Sequence, residues 1–473
     1  MKEENLATKE PNLDVPASDV PDSEVEVQKP SEDDELNREF HMPELMKFVG
    51  PSIFAFVFIA LYQMVDGIFI ERYVGSIAIG AVNLYYPILG LFCATGIMLG
   101  TGGNAMIVKM VGEGKRKEAD RTFSGTVVFA IIISLIYTVV TLVFSDEIMR
   151  LCGATDVNIV YLRPYYTIMN FGCVAILLQS MLGIFIIGEG RTISAAVVIM
   201  IGGILNCVLD YVFMNVFHWG IRGAAIATVI GYVCTVIYAI WYFIFSGRST
   251  YRFRFGKLEM RKMGTICFNG SSDMISNLAG GVTAIFMNHY AQRFYGEVGV
   301  SALSVVLYYQ FFIVAVFMGY TSAVEPIFSY HYGTGNKEVR KRVYKLSIIW
   351  NVAIQTFIVI IVMLFRKPIV GFFFEEGEYF DITLKGLDLM IWGTLFVGLN
   401  SFISGLFTAF SNGLVSGFLS ALRTLVLLTI CLIAMSEVFG ANGLWLAWPV
   451  AELLSVIVSF VFVRKYKCKY GLD

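Results

Sequence analysis

Charge is scarce in this chain: Asp, Glu, Lys and Arg make up 15% of its 473 residues, where soluble domains carry about 25%. With 57% hydrophobic residues and a mean hydropathy of +0.69, an ordinary soluble domain is excluded. Paired cysteines are lacking too. The eight, at 93, 152, 173, 207, 234, 267, 431 and 468, form no CxxC, which argues against a disulfide or metal framework. They read as small core hydrophobes. The four histidines (41, 218, 289, 331) show no ligand spacing. The GxG turns at 112–114 and 333–335 lack the Lys-Ser/Thr and the preceding strand of a nucleotide loop, so ATP drive is not expected. No nucleophile–base pair appears, so no enzyme is read. Period-two alternation is missing as well, which excludes a barrel and leaves helices.

What is present is a series of long apolar runs. They mark twelve spans, at 46–71, 78–108, 123–145, 159–187, 192–216 and 221–246, then 264–291, 301–330, 343–365, 384–410, 415–437 and 441–463. The chain also repeats itself at an offset of about 221 residues: MVDGIFIERYVG (64–75) aligns with IFMNHYAQRFYG (285–296), and WGIRGAAIA (219–227) with FGANGLWLA (439–447). The reading is an all-α integral membrane protein with twelve transmembrane helices in two six-helix lobes related by an internal repeat. Transporters place substrates between such repeats.

The expected domains are a disordered acidic tail (1–44), an N-lobe (45–247), a linker (248–263), a C-lobe (264–465) and a C-terminal tail (466–473). No secretory signal is read in the polar, acidic first 40 residues. Basic residues crowd the second–third, sixth–seventh and eighth–ninth loops and the end of the chain. This places both termini in the cytoplasm of a multi-pass cell-membrane protein.

Two lone acids stand inside these runs. Asp66 is in the first span, and Asp210 in the fifth with Asn206 one turn before it on the same face. A carboxylate in the hydrocarbon layer costs several kcal/mol unless it meets protein, water or an ion, so each is a candidate functional group. Counted from the helix ends, Asp66, Asp210 and Thr228 of the sixth span share a depth about six residues, or ~9 Å, below one surface. Two carboxylates, an amide and a hydroxyl can bind a hard cation through oxygen or share a proton. Arg423 is expected to pair with Glu452, and Glu325, followed by Pro326, to cap a helix end or form a gate contact.

On QMVDGIFIERYVG, NCVLDY and GAAIAT, together with the twin-lobe layout, residues 46 to about 463 resemble the multidrug and toxic compound extrusion (MATE) family, on the branch named after DinF. The resemblance implies that Asp66, Asn206, Asp210 and Thr228 form an N-lobe cation site for H⁺ or Na⁺. It makes Pro51 the helix-bending proline of the first helix and Tyr165 a cavity tyrosine. The branch named after NorM uses C-lobe acids in the seventh and tenth helices. Here NLAGGVTAIF and GLNSFISGLF hold none, so a C-lobe cation site is not expected.

The expected function is cation-coupled export of amphipathic, cationic organic compounds by alternating access. The bilayer and small organic solutes are the partners; no nucleic acid, no cofactor beyond the coupling ion, and a monomer are expected. A flippase for lipid-linked precursors is the alternative, disfavoured because Arg423 is nearly the sole mid-span base. A non-transporting receptor is a further one.

Overall fold

The computed structural model describes residues 36–37, 39–74, 82, 84–152, 154, 156, 159–247, 249–254 and 256–473, and among them there is no strand. The first to third helices are Met42–Tyr73, Tyr86–Gly112 and Arg116–Val143. The fourth is a bent pair, Ile159–Phe171 and Cys173–Gly188, and the fifth and sixth are Thr192–Val216 and Gly220–Phe245. A 74-residue helical stretch, Met260–Gly333, follows. Gly296, at φ 63 and ψ −148, breaks it into a seventh helix (260–295) and an eighth, because only glycine takes that backbone freely. The ninth to twelfth are Lys337–Gly371, Glu378–Ala409, Gly413–Phe439 and Ala441–Tyr470.

Ten of these helices are long and apolar enough to cross a membrane alone, and the bent fourth makes an eleventh. The seventh is long enough but more polar, with Asn269, Ser271, Ser272, Asp273, Ser276 and Asn277 in its first half. Two of these groups find partners in the tenth helix rather than in lipid. Asn269 Nδ2 donates to the Thr408 carbonyl at 3.1 Å, and Ser272 Oγ meets Thr408 Oγ1 at 3.2 Å.

The surface confirms the membrane setting. Along the third helix Leu135, Ile136, Val139 and Val143 are exposed, while Asp120, Ser124, Thr126 and Ser134 are buried. This inverts the pattern of a soluble helix. The fourth helix bends by 55° at Gly172, and Thr138 Oγ1 of the third helix donates to the Asn170 carbonyl beside the bend, at 3.2 Å. A side chain entering the ladder in this way supports a kink.

The lobes share one hydrophobic core at the end of the molecule that carries the basic loops, built from both halves around Val108, Phe123, Tyr251, Tyr320, Phe328 and Phe410. At the opposite end each lobe has its own, around Tyr85, Tyr166 and Ala225 in one and Met287, Trp445 and Trp448 in the other. Glycine pairs bring the lobes into backbone contact at the basic end. A Cβ on Gly102 would strike the Ile266 carbonyl, and one on Gly112 the Tyr330 carbonyl.

The described residues begin before the expected end of the acidic tail at 44, and they are packed. Leu36 is 5% exposed and Phe40 fully buried, and the first helix begins at Met42 with His41 N donating to Glu44 Oε2 at 2.8 Å. Two buried apolar side chains, worth about 1.5–3 kcal/mol each, anchor a stretch whose average composition is polar. Residues 1–35, the rest of the expected tail, lie outside the described residues.

The linker is pinned rather than free. Glu189, at the end of the fourth helix, is 6% exposed. Its Oε1 accepts from Ser249 Oγ at 2.6 Å, Thr250 N at 2.8 Å, Thr250 Oγ1 at 3.0 Å and Tyr251 N at 2.8 Å. Tyr242 OH donates to its other oxygen at 2.9 Å. Beyond it, Arg252 N donates to Asp120 Oδ1 and Arg254 N to Ser124 Oγ.

Candidate functional site

The fifth helix carries the centre of the site because it turns one face, Gly202, Gly203, Asn206 and Asp210, towards its lobe. Glycines at 202 and 203 let the neighbours come close: a Cβ there would meet Thr235 of the sixth helix or Phe58 and Tyr62 of the first. Asn206 and Asp210 then look into the lobe from successive turns. A π turn, Tyr211–Val216, begins directly after Asp210. Such wide turns appear mostly as single insertions, often at functional sites.

Asp66 and Asp210 come together. Their carboxyl groups face one another within hydrogen-bonding reach across the first and fifth helices. Asp210 is fully buried. As carboxylates, Asp66 Oδ1 and both oxygens of Asp210 have no donor among the described residues. Two facing carboxylates repel one another, and a proton on one of them or a cation between them relieves that repulsion. Asn206 lies alongside Asp210 and gives its amide Nδ2 to Thr228 Oγ1 at 3.3 Å. That hydroxyl in turn donates to the Ala224 carbonyl at 2.9 Å. Thr228 is thus one step removed from the carboxyl pair, joined to it through Asn206.

Tyr165 is 3% exposed and belongs to the same surroundings, its ring edge-on to Tyr85 at 5.5 Å. A narrow cleft adjoins the site, lined by Tyr62, Gln179, Asn206, Thr228, Tyr232 and Thr235 among others. Tyr62, Gln179 and Tyr232 were missed in the sequence reading. Tyr62 stands four residues before Asp66 and Tyr232 four after Thr228, so helical spacing could have found both. Gln179 is a lone amide in the apolar run of the fourth helix, the kind of signal that marked Asn206.

Pro51 lies inside the first helix, fifteen residues before Asp66. It supplies no N–H to the Lys47 carbonyl. Thr192 Oγ1 of the fifth helix donates to the Phe48 carbonyl at 2.6 Å, tying the two site helices together beside the proline.

The structure keeps the other charges apart from this cluster. Arg423 sits in a second π turn, Leu422–Leu427, and its Nε donates to Glu452 at 2.9 and 3.0 Å while Nη1 reaches Ser401 Oγ at 3.1 Å. Asn400 Nδ2 also donates to Glu452 Oε2, at 2.7 Å. Glu325 is 7% exposed, beside Thr321 and Gly405, and faces Asp273 of the seventh helix. Among the described residues no three His, Cys, Asp or Glu side chains are grouped to hold a metal ion.

The family model MatE matches this chain twice, at residues 51–212 and 274–433, once in each half. The chain belongs to the MatE family. Among the relatives of this MatE chain, the multidrug export protein MepA of Staphylococcus aureus (strain MSSA476) is 23% identical over 434 residues, 91% of this chain and 95% of that protein. MepA of Staphylococcus saprophyticus is 22% identical over the same shares. Two solved structures share the fold. An outward-facing multidrug resistance MATE family transporter of the MOP superfamily superposes with a TM-score of 0.88 at 20% identity, covering 94% of this chain and 100% of that one. A MOP superfamily transporter from Pyrococcus furiosus, described as having a binding pocket of reverse polarity, gives 0.86 at 21% identity over 94% and 99%. The MatE chain is therefore a transporter-family membrane protein with twelve helices in two lobes.

Proposed function

We propose that this protein exports amphipathic, cationic organic compounds across the cell membrane in exchange for H⁺ or Na⁺. The observation that carries the reading is the carboxyl pair Asp66–Asp210, facing one another from the first and fifth helices beside a space lined by Tyr62 and Tyr232 in the N-lobe. The multidrug export relatives support the class of cargo.

A proton or a sodium ion entering between the two carboxyls stabilises whichever arrangement of the first and fifth helices holds them close. Only such a difference in affinity between two conformations moves a transporter. The missing hydrogen bond at Pro51 lets the first helix bend as the pair is filled. That bend reshapes the space lined by Tyr62 and expels the cargo. Asn206 orients the hydroxyl of Thr228, and under Na⁺ both oxygens complete a hard-cation shell. With the basic loops in the cytoplasm, the joined end of the lobes is the inner one and the carboxyl pair is approached from outside.

The flippase reading is weakened by Arg423, whose charge is already matched by Glu452 rather than held for a phosphate. The test is efflux of a cationic dye from proteoliposomes under pH and Na⁺ gradients imposed separately. Efflux driven by one gradient supports the reading; dye movement indifferent to both overturns it.

A further inference from the structure

The residues just before the first helix join both lobes and the linker at the basic end. Leu36 lines a small crevice with Val108 and Val111 of the second helix, Glu189, Tyr251 of the linker and Tyr330 of the eighth helix. Its carbonyl accepts from Nε2 of His331 at 3.0 Å. A carbonyl can only accept, so the imidazole proton sits on Nε2. Glu39 Oε2 accepts from Arg342 Nη1 of the ninth helix at 2.7 Å. Phe40 packs edge-on against Phe48 of the first helix, ring centres 5.6 Å apart. One short segment thus grips the C-lobe at His331 and Arg342 and the N-lobe at Phe48 and Val111.

We propose that the segment holding Leu36, Glu39 and Phe40 is a latch that keeps the lobes together at the cytoplasmic end, and that it releases His331 and Arg342 when that end opens. The proposal rests on the alternating-access reading above. Opening must part the second helix from the eighth, where Gly112 and Gly333 now bring their backbones into contact. Leu36 cannot stay against Val111 and Tyr330 once they separate. The latch's contacts with the C-lobe include one hydrogen bond and one exposed ion pair, with side chains 36% and 69% accessible at Arg342 and Glu39, and contacts of this kind yield readily. It also continues directly into the helix that carries Pro51 and Asp66, so its release acts on the element that holds the site.

The experiment uses the full chain with spin labels at the exposed positions Lys117 and Glu338, one on each lobe at this end, its reactive cysteines replaced. Distances are read in proteoliposomes with and without the driving gradient. Glu39→Arg should raise the open fraction about threefold, and adding Arg342→Glu should restore it. Removing residues 1–40 should raise it roughly tenfold or more, since two buried apolar side chains go as well. If the wild type switches under a gradient but Glu39→Arg and the truncation leave the fraction unchanged, the latch is wrong and the transport reading stands. A Glu39→Arg effect that Arg342→Glu does not reverse also overturns the latch. One fixed distance in every protein under every gradient overturns both.

Discussion

The carboxyl of Asp66, on the first helix, meets that of Asp210, on the fifth, with Asn206 alongside. Asp66→Asn and Asp210→Asn keep shape and hydrogen-bonding capacity but cannot take up a proton or balance a cation. Each variant should fold, insert and bind dye. Uphill efflux should fall to the level of empty vesicles, and the double variant should be no worse than either single one, because the pair works as a unit. Gradient-driven efflux by the double variant at wild-type rate would remove the pair from the mechanism. Glu325→Gln, away from this site, should cost less.

Thr228→Ala should separate H⁺ drive from Na⁺ drive. The Thr228 hydroxyl is engaged by Asn206 and the Ala224 carbonyl, so it is not the proton carrier. Under a pH gradient, Thr228→Ala should slow efflux only two- to threefold, about the loss of one hydrogen bond. Under Na⁺ drive it removes an oxygen ligand and should raise the Na⁺ needed for half-maximal efflux roughly tenfold or more. Thr228→Ser should behave as wild type with either ion.

Gly112 and Gly333 bring the second and eighth helices into backbone contact at the basic end. A Cβ on either meets backbone of the opposite helix, at the Tyr330 carbonyl or the Lys109 carbonyl. Gly112→Val should therefore destabilise the closed end by about 1–3 kcal/mol. The Lys117–Glu338 label distances should shift towards the longer population. Unchanged distances would mean that this contact is not what limits closure.

Glu189 fastens the linker. Glu189→Ala leaves the donors of Ser249, Thr250, Tyr251 and Tyr242 without their acceptor, at a cost of about 1–3 kcal/mol. It should also open residues 249–254 to limited proteolysis. Glu189→Gln keeps an acceptor oxygen and should stay resistant. Burial raises the Glu189 carboxyl above its usual 4.5 despite the five donors. A folded value above the unfolded one means stability is fullest below 4.5 and declines as pH rises towards the folded value. The stability of the wild type relative to Glu189→Gln should therefore fall as pH rises from 4.5, in thermal melts in detergent; a flat difference would contradict it.

The orientation is tested directly with single cysteines at two exposed positions. An impermeant thiol reagent added to intact cells should label one placed at Glu378 and spare one at Lys257. The opposite pattern would put the joined end of the lobes outside the cell.

Hydropathy made the twelve-helix fold legible, because apolar runs are set by lipid and not by tertiary partners. The seventh helix shows the limit: Asn269 and Ser272 spend their polarity on Thr408, so a helix that turns polar side chains to a neighbour reads as a weak span. Asn206 and Asp210 were readable from their spacing, while the π turns after Asp210 and around Arg423 leave no trace in composition. The latch and the pinned linker were missed for a different reason. Leu36 pairs with His331 across 295 positions and Glu189 with Tyr251 across 62, and averaging over a polar stretch hides two apolar anchors.

The hydrophobic core common to both lobes at one end also governs how the protein is made. When the sixth helix has been synthesised, the half-core around Val108 and Phe123 is complete on one side only. In water that face would drive aggregation, but in a bilayer acyl chains cover it at little cost. The N-lobe can therefore wait, folded, for its partner. With the linker already fastened to Glu189 and Asp120, the seventh helix starts from a fixed point beside the second, and the lobes dock by closing a short distance rather than by a search through the membrane plane.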